Sequence, residues 1–284
     1  PYDASEQEFL AAGYVESGHV AGAITLIWRR GETYVDVVGL QDLERRRPLK
    51  RDSIFRIASM SKPITAAAAM ILVEEGRLRL DEPVDRLLPE LANRQVLKAP
   101  HAELDETVPA NRPITLRDLL TFRLGWGMVL GPSDAPLQKA MAENQIMSLK
   151  PPPPHGPDEW IRRLGSLPLM HQPGERWLYH TGSDVLGVLI ARASDMPFEA
   201  FLKRRIFEPL GMKDTGFHVP KGKLGRLCSC YQPHPETGEL ALYDDAADSS
   251  WASPPAFPAG GGGLVSTVDD YLAFGRMMLN HGRL

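Results

Sequence analysis

The chain has 284 residues, a net charge of −4 and 43% hydrophobic residues. That is enough apolar material for one domain or two intimate ones, and the charge gives no reason to expect nucleic acid or an anionic membrane surface as a partner. No uninterrupted apolar stretch reaches the roughly eighteen residues a membrane span needs. Cys228 and Cys230 are the only cysteines, with one residue between them. They are too close for an unstrained disulfide, and no histidine spacing completes a zinc site, so no metal is expected. Ordinary thiols favour the cytoplasm, although a leader removed ahead of Pro1 would leave a periplasmic or secreted location open.

In chain order, residues 4–17 are predicted to form an amphipathic helix. Val20–Trp28 and Thr33–Gly39 are β-rich runs joined through Arg29-Arg30-Gly31-Glu32, a hairpin signal. The basic run Glu44–Pro48 reads as a solvated loop. From Pro63, tolerated in a first turn, an alanine-rich apolar helix runs to Glu74-Glu75 and stops at Gly76. Thr115 is expected to cap a helix reaching about Phe122. Pro151–Pro154 predicts a stiff surface loop in a long polar insertion. Helices are expected over Asp184–Ala193 and Pro197–Phe207, and a last one capped by Ser266 or Thr267. Asp244, Asp245 and Asp248 lack the glycine and distal glutamate of a calcium loop and read as a solvated acidic turn. Gly260–Gly263 lack the lysine of a phosphate loop and read as flexible turn geometry.

Ser59 and Lys62 carry the first chemical signal, in Phe55-Arg56-Ile57-Ala58-Ser59-Met60-Ser61-Lys62 at the entry to the apolar helix. Ser-x-x-Lys alone is weak, since about one chance occurrence is expected in a chain of this length. Placement adds to it. A hydroxyl at a helix start meets unpaired backbone N–H groups, and a lysine one turn on shares its face. Desolvation at the mouth of a buried helix favours a neutral amine, and hence a base. Tyr179 follows the Pro173-Gly174 turn and precedes a helix start. It either takes and relays a proton, if cations lower its pKa, or is a packed tyrosine with a satisfied hydroxyl.

The segment around Ser59 and Lys62 resembles the first motif of the serine β-lactamase and penicillin-binding protein superfamily, and Tyr179-His180-Thr181 resembles its Tyr-x-Asn motif. Ile114–Thr121, Phe207–Thr215 and Gly261–Asp270 are similar to further family segments, in family order. The chain is most similar to class C β-lactamases and family VIII carboxylesterases. It has Thr181 where the family has Asn, one hydroxyl in place of an amide, which bears on recognition of amide substrates. The third motif, Lys-Thr-Gly or His-x-Gly on a late strand, is not reached by Leu284. His180-Thr181-Gly182 matches its letters only.

The resemblance implies an α/β fold of the α+β type, with a mixed, mainly antiparallel sheet flanked by helices and a mostly helical domain. Residues 1–58 and 245–284 are expected in the sheet domain and 59–244 in the helical one. With one hairpin evident, about three further strands are expected from residues after Leu284 or from a second chain. The resemblance also implies acyl transfer. Ser59 would attack a carbonyl carbon, Lys62 and Tyr179 would share its proton, and no cofactor is required. Trp126, in the loop Leu124–Gly127, either walls the substrate site or packs the loop down. Together with Thr181 as the second candidate substrate-binding residue, it favours a carboxylesterase of small esters with weak β-lactam hydrolysis. A β-lactamase, D-alanyl peptidase or acyltransferase, and a catalytically silent scaffold that binds a ligand or partner, are the alternatives.

Overall fold

Arginine followed by glycine at positions 30 and 31 sets the first turn. In the computed structural model, which describes residues 11–128, 135–146 and 152–283, strands β1 (Gly22–Arg29) and β2 (Glu32–Asp42) pair antiparallel with Arg29 opposite Glu32. Arg30 and Gly31 have φ of +52° and +89°, as a two-residue turn matched to strand twist requires. A short strand β3 (Arg47–Pro48) then pairs with Leu40 and Asp42. The basic run is therefore partly sheet, and Arg45 within it pairs with Asp42 and Asp245. Of the helix expected over residues 4–17, residues 11–16 are helical and 4–10 lie outside the described residues.

Two units divide the chain. The first comprises residues 1–56, 207–254 and 265–284. Besides the three-stranded sheet it holds the antiparallel pairs Phe55–Arg56 with Val265–Ser266, and Cys230–Pro233 with Leu240–Asp244. Ile54, Val219, Leu227, Ala246 and Val265 form its apolar cluster. The acidic residues near position 245 serve this unit internally. Buried Asp244 pairs with Arg56, and Asp245 accepts from the Ala247 amide while pairing with Arg45. Thr267 caps the helix Val268–Leu279, accepting from the Asp270 amide. Cys228 and Cys230 are free thiols, and burial pushes the Cys228 thiol up to about 12.

The second unit comprises residues 57–206 and 255–264. It contains α1 (Ser61–Glu74), α2 (Leu116–Leu120), α3 (Pro136–Glu143), α4 (Pro157–Ser166), α5 (Thr181–Ser194) and α6 (Phe198–Leu202). A short antiparallel pair, Gln95–Leu97 with Thr107–Pro109, adds the only named strands of this unit among the described residues. α5 is central: every residue from Thr181 to Ile190 is buried, and the helix packs on α1, α2 and α6. α1 ends as its sequence dictates, with Gly76 at φ +70°. Thr115 caps α2 in a reciprocal box with Asp118.

The boundaries differ from those read in the sequence. Residues 207–244 belong with the sheet unit, because Val219 and Leu227 pack with Ile54 and Val265. Residues 255–264 belong with the helical unit, where Phe257 stacks on Trp160 at 4.5 Å between ring centroids. The polar insertion contains α4, which begins at Pro157 and buries Trp160, Ile161 and Leu164. Its proline run starts at Pro151, outside the described residues. The small antiparallel sheets and flanking helices are the mixed α/β architecture that the motifs imply.

Candidate active site

The site belongs wholly to the helical unit. The chain enters it through a 3₁₀ turn, Ala58–Met60, that runs directly into α1. Ala58 takes φ +45°, a left-handed conformation costing an L-residue about 1–2 kcal/mol. The turn leaves Ser59 exposed while Lys62 is buried at 8% exposure. Lys62 Nζ lies 3.0 Å from Ser59 Oγ. From a distant segment the Tyr179 hydroxyl donates to the same Oγ at 2.9 Å, and Lys62 Nζ stands 4.5 Å from the Tyr179 ring centroid. The hydrogen bond with Ser59, followed by those with Lys62 and its charge, holds the Tyr179 phenol below its ordinary value against burial.

Backbone contacts fix Tyr179 on both sides. The Leu178 amide donates to the Phe122 carbonyl at 2.8 Å, and the Met128 amide donates to the Tyr179 carbonyl at 2.9 Å. Trp177 stacks on Tyr179 with centroids 5.5 Å apart, and Phe122 meets its edge at 5.6 Å. Gly125 and Gly127 let the intervening loop lie close: a Cβ would fall 2.3 Å from the His171 carbonyl oxygen at the first and 2.7 Å from Leu178 at the second. Trp126, between them, is fully buried. Of its two expected roles it takes the packing one, and the ligand wall is corrected accordingly. Trp177, 60% exposed, is the tryptophan that presents a face to solvent beside Tyr179.

Thr181 is also fully buried, at the first position of α5. The side chain that meets the lysine is its neighbour His180, whose Nδ1 lies 3.1 Å from Lys62 Nζ. Sequence reasoning missed this residue together with Asp184 and Gly261. His180 Nε2 is 3.1 Å from Asp184 Oδ2. Asp184 Oδ1 accepts from the Gly261 amide at 2.7 Å, and the Gly261 carbonyl accepts from Lys62. The one signal available was the spacing of four between His180 and Asp184, a helical turn at the start of α5. The glycine run forms the expected turn, with the Gly263 amide donating to the Ala259 carbonyl at 2.9 Å. None of Gly260–Gly263 has positive φ. Gly260 and Gly261 serve close approach, since a Cβ would lie 2.3 Å from the Ser183 carbonyl oxygen and 2.9 Å from the His180 ring, respectively.

An exposed serine touched by a buried lysine one turn on, and by a tyrosine from a second segment, is the arrangement of a serine hydrolase-like β-lactamase fold. The chain belongs to the Beta-lactamase family, whose model matches residues 8–284, and so to the serine β-lactamase and penicillin-binding protein superfamily. It is similar to Protein Rv1367c of Mycobacterium tuberculosis, 40% identical over 271 residues that cover 94% of this chain and 64% of the relative. It is also similar to Esterase EstB of Burkholderia gladioli, 34% identical over 267 residues, 89% of this chain and 64% of the relative. The chain therefore spans just under two thirds of the length of these relatives. Among solved structures, EstCE1, described as a hydrolase with promiscuous acyltransferase activity, superposes with a TM-score of 0.78 at 25% identity, covering 99% of this chain and 73% of the other.

Proposed function

We propose that this chain carries the reactive centre of a serine hydrolase that cleaves small carboxylic esters through a covalent acyl-enzyme. One observation carries the reading: Ser59 Oγ is met by both Lys62 Nζ, at 3.0 Å, and the Tyr179 hydroxyl, at 2.9 Å. A serine hydroxyl needs such partners to become nucleophilic at neutral pH. Ser59 Oγ bonds to the carbonyl carbon as its proton passes to the Lys62–Tyr179 pair. The pair returns a proton to the departing alkoxide as the ester C–O bond breaks. Water then attacks the acyl-enzyme as the pair accepts its proton, and the pair passes that proton to Ser59 Oγ as the Oγ–C bond breaks and the carboxylic acid leaves. The backbone N–H of Ser59 serves the developing oxyanion. Esters are favoured over amides by the absence of an Asn side chain at position 181 and by the likeness to an esterase at 34% identity.

Ser59→Ala should lower turnover of a p-nitrophenyl ester by at least about 10³-fold. Full turnover by that variant would end the proposal. A fluorophosphonate probe separates an activated serine from a silent scaffold, because only the former labels. A second reading, acyl transfer to an alcohol, is favoured by the likeness to EstCE1. Adding an acceptor alcohol and measuring the transesterified product against free acid tests it.

A further inference from the structure

We propose that His180 and Asp184 are positioning residues that aim the lone pair of Lys62 at Ser59. The inference rests on the hydrolase reading above and goes beyond it, since neither residue touches the reacting atoms. Besides the Tyr179 phenol, Lys62 Nζ meets three polar groups: Ser59 Oγ, His180 Nδ1 and the Gly261 carbonyl. When it acts as the base, the deprotonated amine offers two N–H donors and one lone pair. The Gly261 carbonyl can only accept. His180 Nδ1 can only accept if the imidazole proton sits on Nε2. Asp184 Oδ2, 3.1 Å from Nε2, puts it there, because a carboxylate has no proton to donate. Both amine hydrogens are then engaged, and the lone pair is left for the Ser59 hydroxyl. In the other tautomer an Nδ1–H would draw the lone pair away from Ser59.

The four residues close a ring. Gly261 donates its amide to Asp184 at 2.7 Å and receives Lys62 on its carbonyl, so one peptide locates both the carboxylate and the amine. Burial keeps water from replacing any member: Lys62 and His180 are 8% exposed and Asp184 is 6%. His180 pays for its place with φ +82° and ψ −65°, a strained pair of angles that concentrates at functional positions. Its carbonyl is tied to the Ser183 amide at 3.0 Å. When Ser59 gives up its proton, the resulting ammonium finds the same three acceptors already in position. Asp184 offsets the charge through the imidazole, with no reorganisation.

Asp184→Asn tests the ring directly. Its amide oxygen can still take the Gly261 N–H, while its NH₂ faces His180 Nε2 and forces the proton onto Nδ1. The expected results are an Nε2–H tautomer in wild type and Nδ1–H in Asp184→Asn by ¹⁵N NMR of the imidazole. In the variant, kcat for the p-nitrophenyl ester should fall about 10²–10³-fold with KM little changed. His180→Ala should label with a fluorophosphonate at a similarly reduced rate. His180→Asn, whose amide oxygen occupies the place of Nδ1 and which tolerates positive φ, should recover part of that rate. A wild type that does not label sinks the hydrolase reading and this role with it. A wild type that labels, with His180→Ala labelling equally fast, leaves the hydrolase reading standing and overturns this one. An Nδ1–H tautomer in wild type overturns it without any activity measurement.

Discussion

Tyr179 reaches Ser59 across 120 residues of sequence, and its hydroxyl donates to Ser59 Oγ at 2.9 Å. Its ring packs against Trp177 and Phe122, which also touch each other, independently of that hydroxyl. Removing the oxygen therefore isolates proton transfer from packing.

Tyr179→Phe should lower kcat about 10²–10⁴-fold, the range for losing a positioned acid–base group, with KM and thermal midpoint nearly unchanged. Steady-state kinetics on the p-nitrophenyl ester check it. The phenol is held below its ordinary value by Ser59 and Lys62, so its tyrosinate forms at lower pH than a free tyrosine's. Replacing Lys62 by Met removes a cation that favours the phenolate and should move that titration to higher pH. Tyrosinate absorbance, corrected with Tyr179→Phe, reads the direction.

Asp118 predicts acid sensitivity. Burial raises its pKa, but bonds from Arg112 and from the Thr115 amide and hydroxyl outweigh that and leave it below the usual carboxylate range. The unfolded chain binds this proton at higher pH than the folded one. The stabilisation is therefore present above about pH 4 and is lost as pH falls through the folded value. Asp118→Asn should cost about 1–2 kcal/mol near neutrality and flatten the acid side of a plot of melting temperature against pH. An unchanged acid slope would contradict this assignment.

Gly182 has no room for a side chain: a Cβ there would sit 2.5 Å from the Leu119 carbonyl oxygen. Gly182→Ala should force α5 away from α2 and destabilise the protein by about 1–3 kcal/mol, despite the better helix propensity of alanine. Urea midpoints for Gly182→Ala and for the unobstructed Gly76→Ala separate the clash from the general effect of replacing glycine. Gly76, at φ +70°, reports conformational strain alone.

What could be read from the sequence was what neighbours along the chain decide. Arg30-Gly31 fixed a turn, Gly76 a helix end, and Thr115 a cap, each through the backbone of adjacent residues. Ser59 and Lys62 were legible for the same reason, lying one turn apart. Trp126 carried two readings because its burial depends on His171 and Leu178 pressing against the flanking glycines, far along the chain. The strand pairs at 95–109 and 230–244 are too short to show alternation. Helix α4 was hidden by its proline-rich approach. His180 was invisible as a site residue because its role requires a positive φ that propensity does not encode, together with a carbonyl from Gly261.

The lysine and the glycine carbonyl that accepts its hydrogen bond are separated by 199 residues. On the ribosome α1 therefore emerges long before residues 255–264, and a nascent chain at that stage has no Gly261 to engage the amine. Ser59 is translated early, but the ring around its lysine closes only with Gly261. The contact that fixes the amine thus forms only after residue 261 has been translated.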